Sequence, residues 1–154
     1  MKRIVLLATA VFALVAFSAQ NGHAQSKKKS AAEWKKILTP NQYEIMVNRG
    51  TEQPYKNAYY NNHEKGIYVS AATGEVLFSS DDKYDSHTGW PSFVKAVDPG
   101  KIEIVQDNSL GMTRDEVIEK STGLHLGHVF DDGPADRGGK RYCMNSGALK
   151  FIKK

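Results

Sequence analysis

Cys143 is the only cysteine in the chain, and it stands in the stretch Arg141-Tyr142-Cys143-Met144-Asn145-Ser146. A thiol is a useful nucleophile near neutral pH only when a neighbouring cation or base favours its thiolate. Arg141 and Asn145 lie two residues to either side. The alternation of a strand sets both on the face of Cys143, where the guanidinium favours thiolate over thiol. A second stretch, His125-Leu126-Gly127-His128-Val129-Phe130, holds two imidazoles three residues apart. Two histidines and a cysteine fall one ligand short of a closed zinc site, so a metal is the weaker reading. Each histidine is also compatible with purely local hydrogen bonding. The glycine-rich loop from Asp131 to Lys140 argues for chemistry, because it joins the two stretches as a hairpin and sets the imidazoles beside the thiol. A third stretch, Asp85 to Phe93, contains a Gly89-Trp90-Pro91 turn. Its indole is either core or an aromatic seat for an apolar or soft sulfur group.

The elements that must carry these residues follow in order. Ser30-Ala31-Ala32-Glu33 fits a capping box opening a short helix with Trp34, Ile37 and Leu38 on its apolar face. Thr39-Pro40-Asn41-Gln42 opens a second helix, with Tyr43, Met46 and Val47 as its stripe and Gly50 as its stop. Thr51 to Asn62 reads as irregular chain. From Gly66 the pattern changes to short apolar runs between turns. Ile67-Tyr68-Val69 and Val76-Leu77-Phe78 form a hairpin about Ala72 to Glu75. Further strands are expected at Phe93–Val97, Ile102–Asp107, Met112–Ser121, His125–Phe130 and Arg141–Phe151. Two helices followed by strands predict an α+β, mainly β fold. Its strands form two antiparallel sheets, small and barrel-like, with short N-terminal helices.

The first 24 residues read as a secretory signal peptide: Met1-Lys2-Arg3, an apolar run from Ile4 to Phe17, then small and polar residues ending at Ala24. The run is shorter than the roughly 20 residues of a membrane span, and no stable membrane association is expected after cleavage. No cysteine follows for lipid attachment. Residues 25–31 form a basic linker and residues 32–152 one domain, read as a monomer. Localisation is expected to be exported, in a bacterial periplasm. The formal charge of +4 is carried by the termini. Seven of the basic residues lie at Lys2, Arg3, Lys27 to Lys29 and Lys153-Lys154, and without them residues 30–152 carry −3. A nucleic-acid binder shows a basic face on its folded body, so no nucleic-acid partner is expected. One thiol cannot form an internal disulfide, so stability rests on packing.

The segments Gly89-Trp90-Pro91-Ser92-Phe93, His125 to Pro134 and Arg141 to Ser146, in this order and spacing, resemble the methionine-R-sulfoxide reductase B family. The likeness spans residues 32–152 and includes Leu38-Thr39-Pro40 and Gly50-Thr51-Glu52. The resemblance implies two antiparallel sheets with N-terminal helices. It also implies reduction of the R epimer of methionine sulfoxide, protein-bound or free. Cys143 matches the family's nucleophile, and His125, His128 and Asn145 match groups holding water or the substrate oxygen. Trp90 with Phe130 matches the seat of the substrate methyl, and Arg141 with Asp132 matches a charged pair near the thiol. The chemistry is consistent: thiolate attack on a polarised S–O bond needs a low-pKa thiol, a proton source and an apolar seat.

The sequence departs from the commonest pattern in two respects. Ser70, Thr73, Glu119 and Thr122 stand where many members carry two Cys-x-x-Cys pairs, so no zinc and no bound cofactor are expected. Thr88 stands where many members carry a resolving cysteine. The implied partners are therefore oxidised methionine in proteins as substrate and an external reductant, thioredoxin-like or a small thiol. Residue types alone also permit a cysteine hydrolase using Cys143 with His125 or His128, or a non-catalytic module binding methionine through Trp90.

Overall fold

The computed structural model describes residues 28–154 of the chain; the signal-peptide reading of residues 1–24 lies outside the described residues. Helix α1, Ala31–Ile37, and helix α2, Pro40–Met46, both begin with reciprocal capping boxes, Ser30 with Glu33 and Thr39 with Gln42. Such a cap contributes about 1 kcal/mol, a large share for helices too short to stand alone. Trp34, Leu38, Ile45 and Met46 are buried, whereas Ile37, expected on the apolar face of α1, is exposed. Among the described residues no helix is long and apolar enough to cross a membrane.

Nine strands follow: β1 Gly66–Ser70, β2 Val76–Ser79, β3 Lys83–Tyr84, β4 Ser92–Phe93, β5 Ile102–Asp107, β6 Arg114–Glu119, β7 His125–Phe130, β8 Arg141–Met144 and β9 Leu149–Lys153. They form two separate antiparallel sheets, ordered β2-β1-β9 and β3-β4-β8-β7-β6-β5. The fold is thus α+β and mainly β, with the predicted hairpin at β1–β2 and the β7–β8 hairpin closed by the Asp131–Lys140 loop. Aromatic rings knit the two sheets: Phe93 of β4 stacks on Phe78 of β2 at 4.5 Å and meets Tyr68 of β1 edge-on at 5.0 Å.

Three expected strands are shorter or divided, that of Met112–Ser121 narrowing to Arg114–Glu119. Beyond Phe93 the chain leaves the six-stranded sheet, and Val97 donates its N–H to Leu77 of β2 instead. The single strand expected from Arg141 to Phe151 breaks at Asn145 into β8 and β9, which belong to different sheets. The break is made by a residue distant in the chain. The Glu52 carboxylate accepts the N–H groups of Ser146 and Gly147, and that turns the chain into the 3-10 segment Ser146–Ala148.

The four positions that resemble zinc-ligand sites gather at two neighbouring turns. Glu119 is fully buried; Thr122 donates to one carboxylate oxygen at 2.7 Å and Thr73 to the other. Ser70 Oγ accepts the N–H groups of Ala72 and Thr73. This donor set holds no thiolate or imidazole, and both carboxylate oxygens are already engaged, so it does not fit a tetrahedral zinc ion. Among the described residues no group of three or more His, Cys, Asp or Glu is arranged to hold a metal.

Candidate active site

Strand register builds the site. Tyr84 pairs with Ser92, Ser92 with Cys143, Cys143 with His128, and His128 with Glu116. These five residues run as one row across β3, β4, β8, β7 and β6, with neighbouring strands about 4.8 Å apart. On β8, Tyr142 and Met144 turn to the core while Arg141 and Cys143 share the opposite face, as alternation requires.

The histidines need more than alternation, since residues three apart on a regular strand face opposite sides. Between β6 and β7 the register slips: Val117 pairs with Gly127 and Ile118 with His125, leaving Leu126 as an extra residue. This bulge rephases β7 and brings the two imidazoles to one side, ring centroids 5.3 Å apart. The carbonyl of Leu126 accepts both the backbone N–H of Asn145 at 2.9 Å and its side-chain Nδ2 at 3.2 Å. One irregularity thus positions His125, His128 and Asn145 together. Gly127 must be glycine, because a Cβ there would lie 2.2 Å from the Cys143 carbonyl oxygen.

Trp90, His128, Phe130, Cys143 and Asn145 line one pocket of about 130 Å³, together with Thr51, Arg114, Gly127 and Met144. Trp90 is fixed by Gly89, whose φ of 90° and 2.7 Å approach to Pro54 and Tyr55 leave no room for a side chain. The indole Nε1 donates to the Glu52 carbonyl at 3.1 Å. His125 does not line this pocket; it sits behind His128, within a cavity of about 310 Å³ that also contains Arg49, Asp107, Arg114 and Glu116. Arg141 and Asp132 form a two-bond pair at 2.7 and 2.8 Å and lie on the other side of the thiol. The Arg141 guanidinium covers the Phe130 ring at 4.4 Å.

Burial sets the protonation states and hydrogen bonds set the tautomers. Burial, with the charges of His128 and Arg49, pushes His125 down to about 4. The neighbouring Glu116 carboxylate already faces the half-exposed Arg49 guanidinium, so a cation on the buried His125 ring would be poorly compensated. His125 is therefore neutral, Nδ1–H donating to Glu116 Oε1 at 2.6 Å while Nε2 accepts from Asn145 Nδ2 at 3.4 Å. Burial lowers the His128 pKa too, against its bond to Asp107 Oδ2 at 2.9 Å. That bond occupies Nε2–H and leaves Nδ1 as the free nitrogen of the ring.

The thiol departs from expectation. Burial pushes the Cys143 thiol up, and the pull of Arg141, Thr88 and Ser92 toward the thiolate does not overcome it. Arg141 favours the anion as its position predicts, yet the resting group is a protonated thiol.

Glu52, Glu116, Asp107, Ser86 and Ser92 also shape the site without having been singled out by residue type. Glu52 and Glu116 sit in segments that carry no spacing signal linking them to the thiol. Glu52, in the Gly50-Thr51-Glu52 segment, and Ser86 and Ser92, in the Asp85 to Phe93 stretch, were within reach.

Over residues 38–153 the chain matches the SelR domain family. It is 51% identical over 124 residues to the peptide methionine sulfoxide reductase MsrB of Methanosarcina barkeri, covering 80% of this chain and 87% of the relative. Identity to the same-named protein of Methanosarcina mazei is 50% over 131 residues, covering 84% and 93%. For that of Leptospira interrogans it is 53% over 125 residues, covering 81% and 95%. With the family matched over residues 38–153 of this chain and the relatives alike over most of their length, the chain belongs to the methionine-R-sulfoxide reductase B family.

Proposed function

We propose that the protein reduces the R epimer of methionine sulfoxide, protein-bound or free, with Cys143 as its sole nucleophile and an external thiol as reductant. The observation that carries this reading is the meeting of the chain's one thiol, the Trp90 and Phe130 rings and the His128 imidazole in a single pocket. The rings seat the substrate's methyl group. Cys143 Sγ attacks the sulfoxide sulfur as the thiol passes its proton to the free Nδ1 of His128, and His128 returns that proton to the departing oxygen beside Asn145. The oxygen passes to the cysteine, leaving a sulfenic acid on Cys143 and releasing methionine; the cysteine sulfur is oxidised as the substrate sulfur is reduced. His125, neutral and bonded to Glu116 and Asn145, orients this machinery from behind.

Thr88 offers no second thiol, so the sulfenic acid is returned to the thiol by a thioredoxin-like protein or a small thiol from outside. The N-terminal sequence pattern supports export to a periplasm and a role in repairing oxidised exported proteins, with no zinc in the cycle and the protein acting as a monomer. The test is turnover of a racemic methionine sulfoxide with dithiothreitol. Consumption that stops at half, with the S epimer left, is expected; consumption of the S epimer, or none, would overturn the reading.

A further inference from the structure

The cavity of about 310 Å³ behind His128 adjoins the catalytic pocket: Thr51, Arg114 and His128 line both. A molecule with one group seated against Trp90 and Phe130 has this space beside it. The charges of the cavity are matched within it. Asp107 pairs with Arg114 at 2.7 Å and Glu116 with Arg49, while His128 and His125 donate to the same two carboxylates. One donor is left over. Arg114 Nη2 donates to Asp107 at 2.7 Å and to Ser109 at 3.3 Å, but the Nε–H of the same guanidinium is buried and meets no acceptor among the described residues. A neutral guest with a carbonyl oxygen, such as every peptide bond carries, satisfies that donor without adding charge.

The rim of the cavity holds the second feature. Between β5 and β6 the turn Ser109–Gly111 carries Leu110 into solvent, 82% exposed, with a φ of 54°. Exposure forfeits the burial that a leucine gives a fold, and the left-handed backbone favours Gly, Asn or Asp over a bulky apolar side chain. Neither packing nor backbone preference accounts for a leucine there. It stands on the wall of the cavity that runs into the catalytic pocket, where an apolar side chain arriving with the substrate covers it.

We propose that this cavity is a subsite for the residue next to methionine sulfoxide in a polypeptide substrate, with Leu110 contacting that residue's apolar side chain and Arg114 Nε–H donating to a main-chain carbonyl. The inference rests on the function proposed above and adds what the same site reads beyond the sulfoxide. Successive residues of an extended chain rise about 3.3 Å, so the neighbour of the seated residue reaches the adjoining cavity without a bend. An acidic neighbour meets Asp107 and Glu116, and a basic one meets Arg49 and Arg114; in each case the counter-charge is already paired. The subsite therefore selects an uncharged, apolar neighbour.

The test compares reduction, with dithiothreitol, of N-acetyl-methionine-R-sulfoxide methylamide, which has no neighbouring side chain, and of blocked tripeptides with the sulfoxide between two leucines, two serines, two aspartates or two lysines. In the parent, kcat/KM for the leucine peptide should exceed that for the serine peptide on the order of threefold to tenfold, and both charged peptides should fall below the serine peptide. L110D should bring the leucine-to-serine ratio near one and raise the lysine peptide above the aspartate peptide, and L110K should reverse that last order. Both variants should leave the single-residue substrate within about twofold of the parent, because Leu110 lies outside the catalytic pocket. If a charged variant fails to fold, L110N, which the left-handed backbone favours, should lower the leucine-to-serine ratio in the same way. A ratio unmoved by these substitutions, or an equal loss on every substrate including the single-residue one, would overturn the subsite. A parent that leaves the single-residue sulfoxide unreduced would overturn the proposed function instead.

Discussion

The backbone N–H of Glu52 donates to Oδ1 of Asn145 at 3.3 Å, while the carbonyl of the same residue accepts the Trp90 indole at 3.1 Å. Glu52 thus ties the amide that faces the imidazoles to the ring that seats the substrate. Its carboxylate is anchored on the N–H groups of Ser146 and Gly147. Burial pushes that carboxyl up while the two N–H groups pull it down.

Glu52→Ala frees this anchor without touching the thiol. We expect kcat/KM to fall about 10- to 100-fold, with KM rising as the Trp90 seat loosens and kcat falling as Asn145 drifts. Glu52→Gln keeps one acceptor and should recover part of both. A purely structural role would lower the melting temperature and leave the kinetic constants of the folded protein unchanged.

The raised Cys143 pKa predicts a sluggish resting thiol. Iodoacetamide should modify Cys143 more slowly than free cysteine at pH 8, with the rate still climbing above the ordinary thiol pKa of about 8.5. Because the folded pKa lies above the unfolded one, the thiol's contribution to stability is complete below about 8.5 and is lost as pH rises beyond it. His125 has the opposite sense: its folded pKa of about 4 lies below its unfolded 6.5, so stability falls as pH drops from 6.5 toward 4. Melting temperatures across both windows check these signs. A thiol alkylated faster than free cysteine at pH 8 would contradict the first.

Glu119 holds the β1–β2 turn to the β6–β7 turn through Thr73 and Thr122. Glu119→Ala leaves those two hydroxyls without their shared acceptor, and we expect a melting temperature lower by about 5–10 °C. Purified protein should contain no stoichiometric zinc, and a chelator should not shift its melting temperature. One zinc per chain by elemental analysis would refute this.

Much of the site was legible because residues adjacent in the fold fall in short contiguous motifs. Alternation alone put Arg141 on the face of Cys143, and the hairpin loop alone predicted β7 against β8. The capping boxes at Ser30 and Thr39 rest on side chains within three residues, so both helices could be read. What was not legible depends on irregularity or on distance. The bulge at Leu126 that turns His125 toward His128 leaves no composition signal, and the division of β8 from β9 depends on Glu52, more than ninety residues away. The sense of the Cys143 shift was missed for the same reason: Arg141 is visible in sequence, whereas the burial that outweighs it is not.

The central claim is tested most directly by a single turnover. Protein reduced and freed of thiol is mixed with excess methionine-R-sulfoxide, and the products are read by methionine release, intact mass and a sulfenic-acid trap. One methionine per chain is expected, with one oxygen gained by the protein and the trap on Cys143; Cys143→Ser, folded as the parent, should release none. Methionine release by the serine variant, or a parent chain that releases methionine with Cys143 unmodified, would contradict the account.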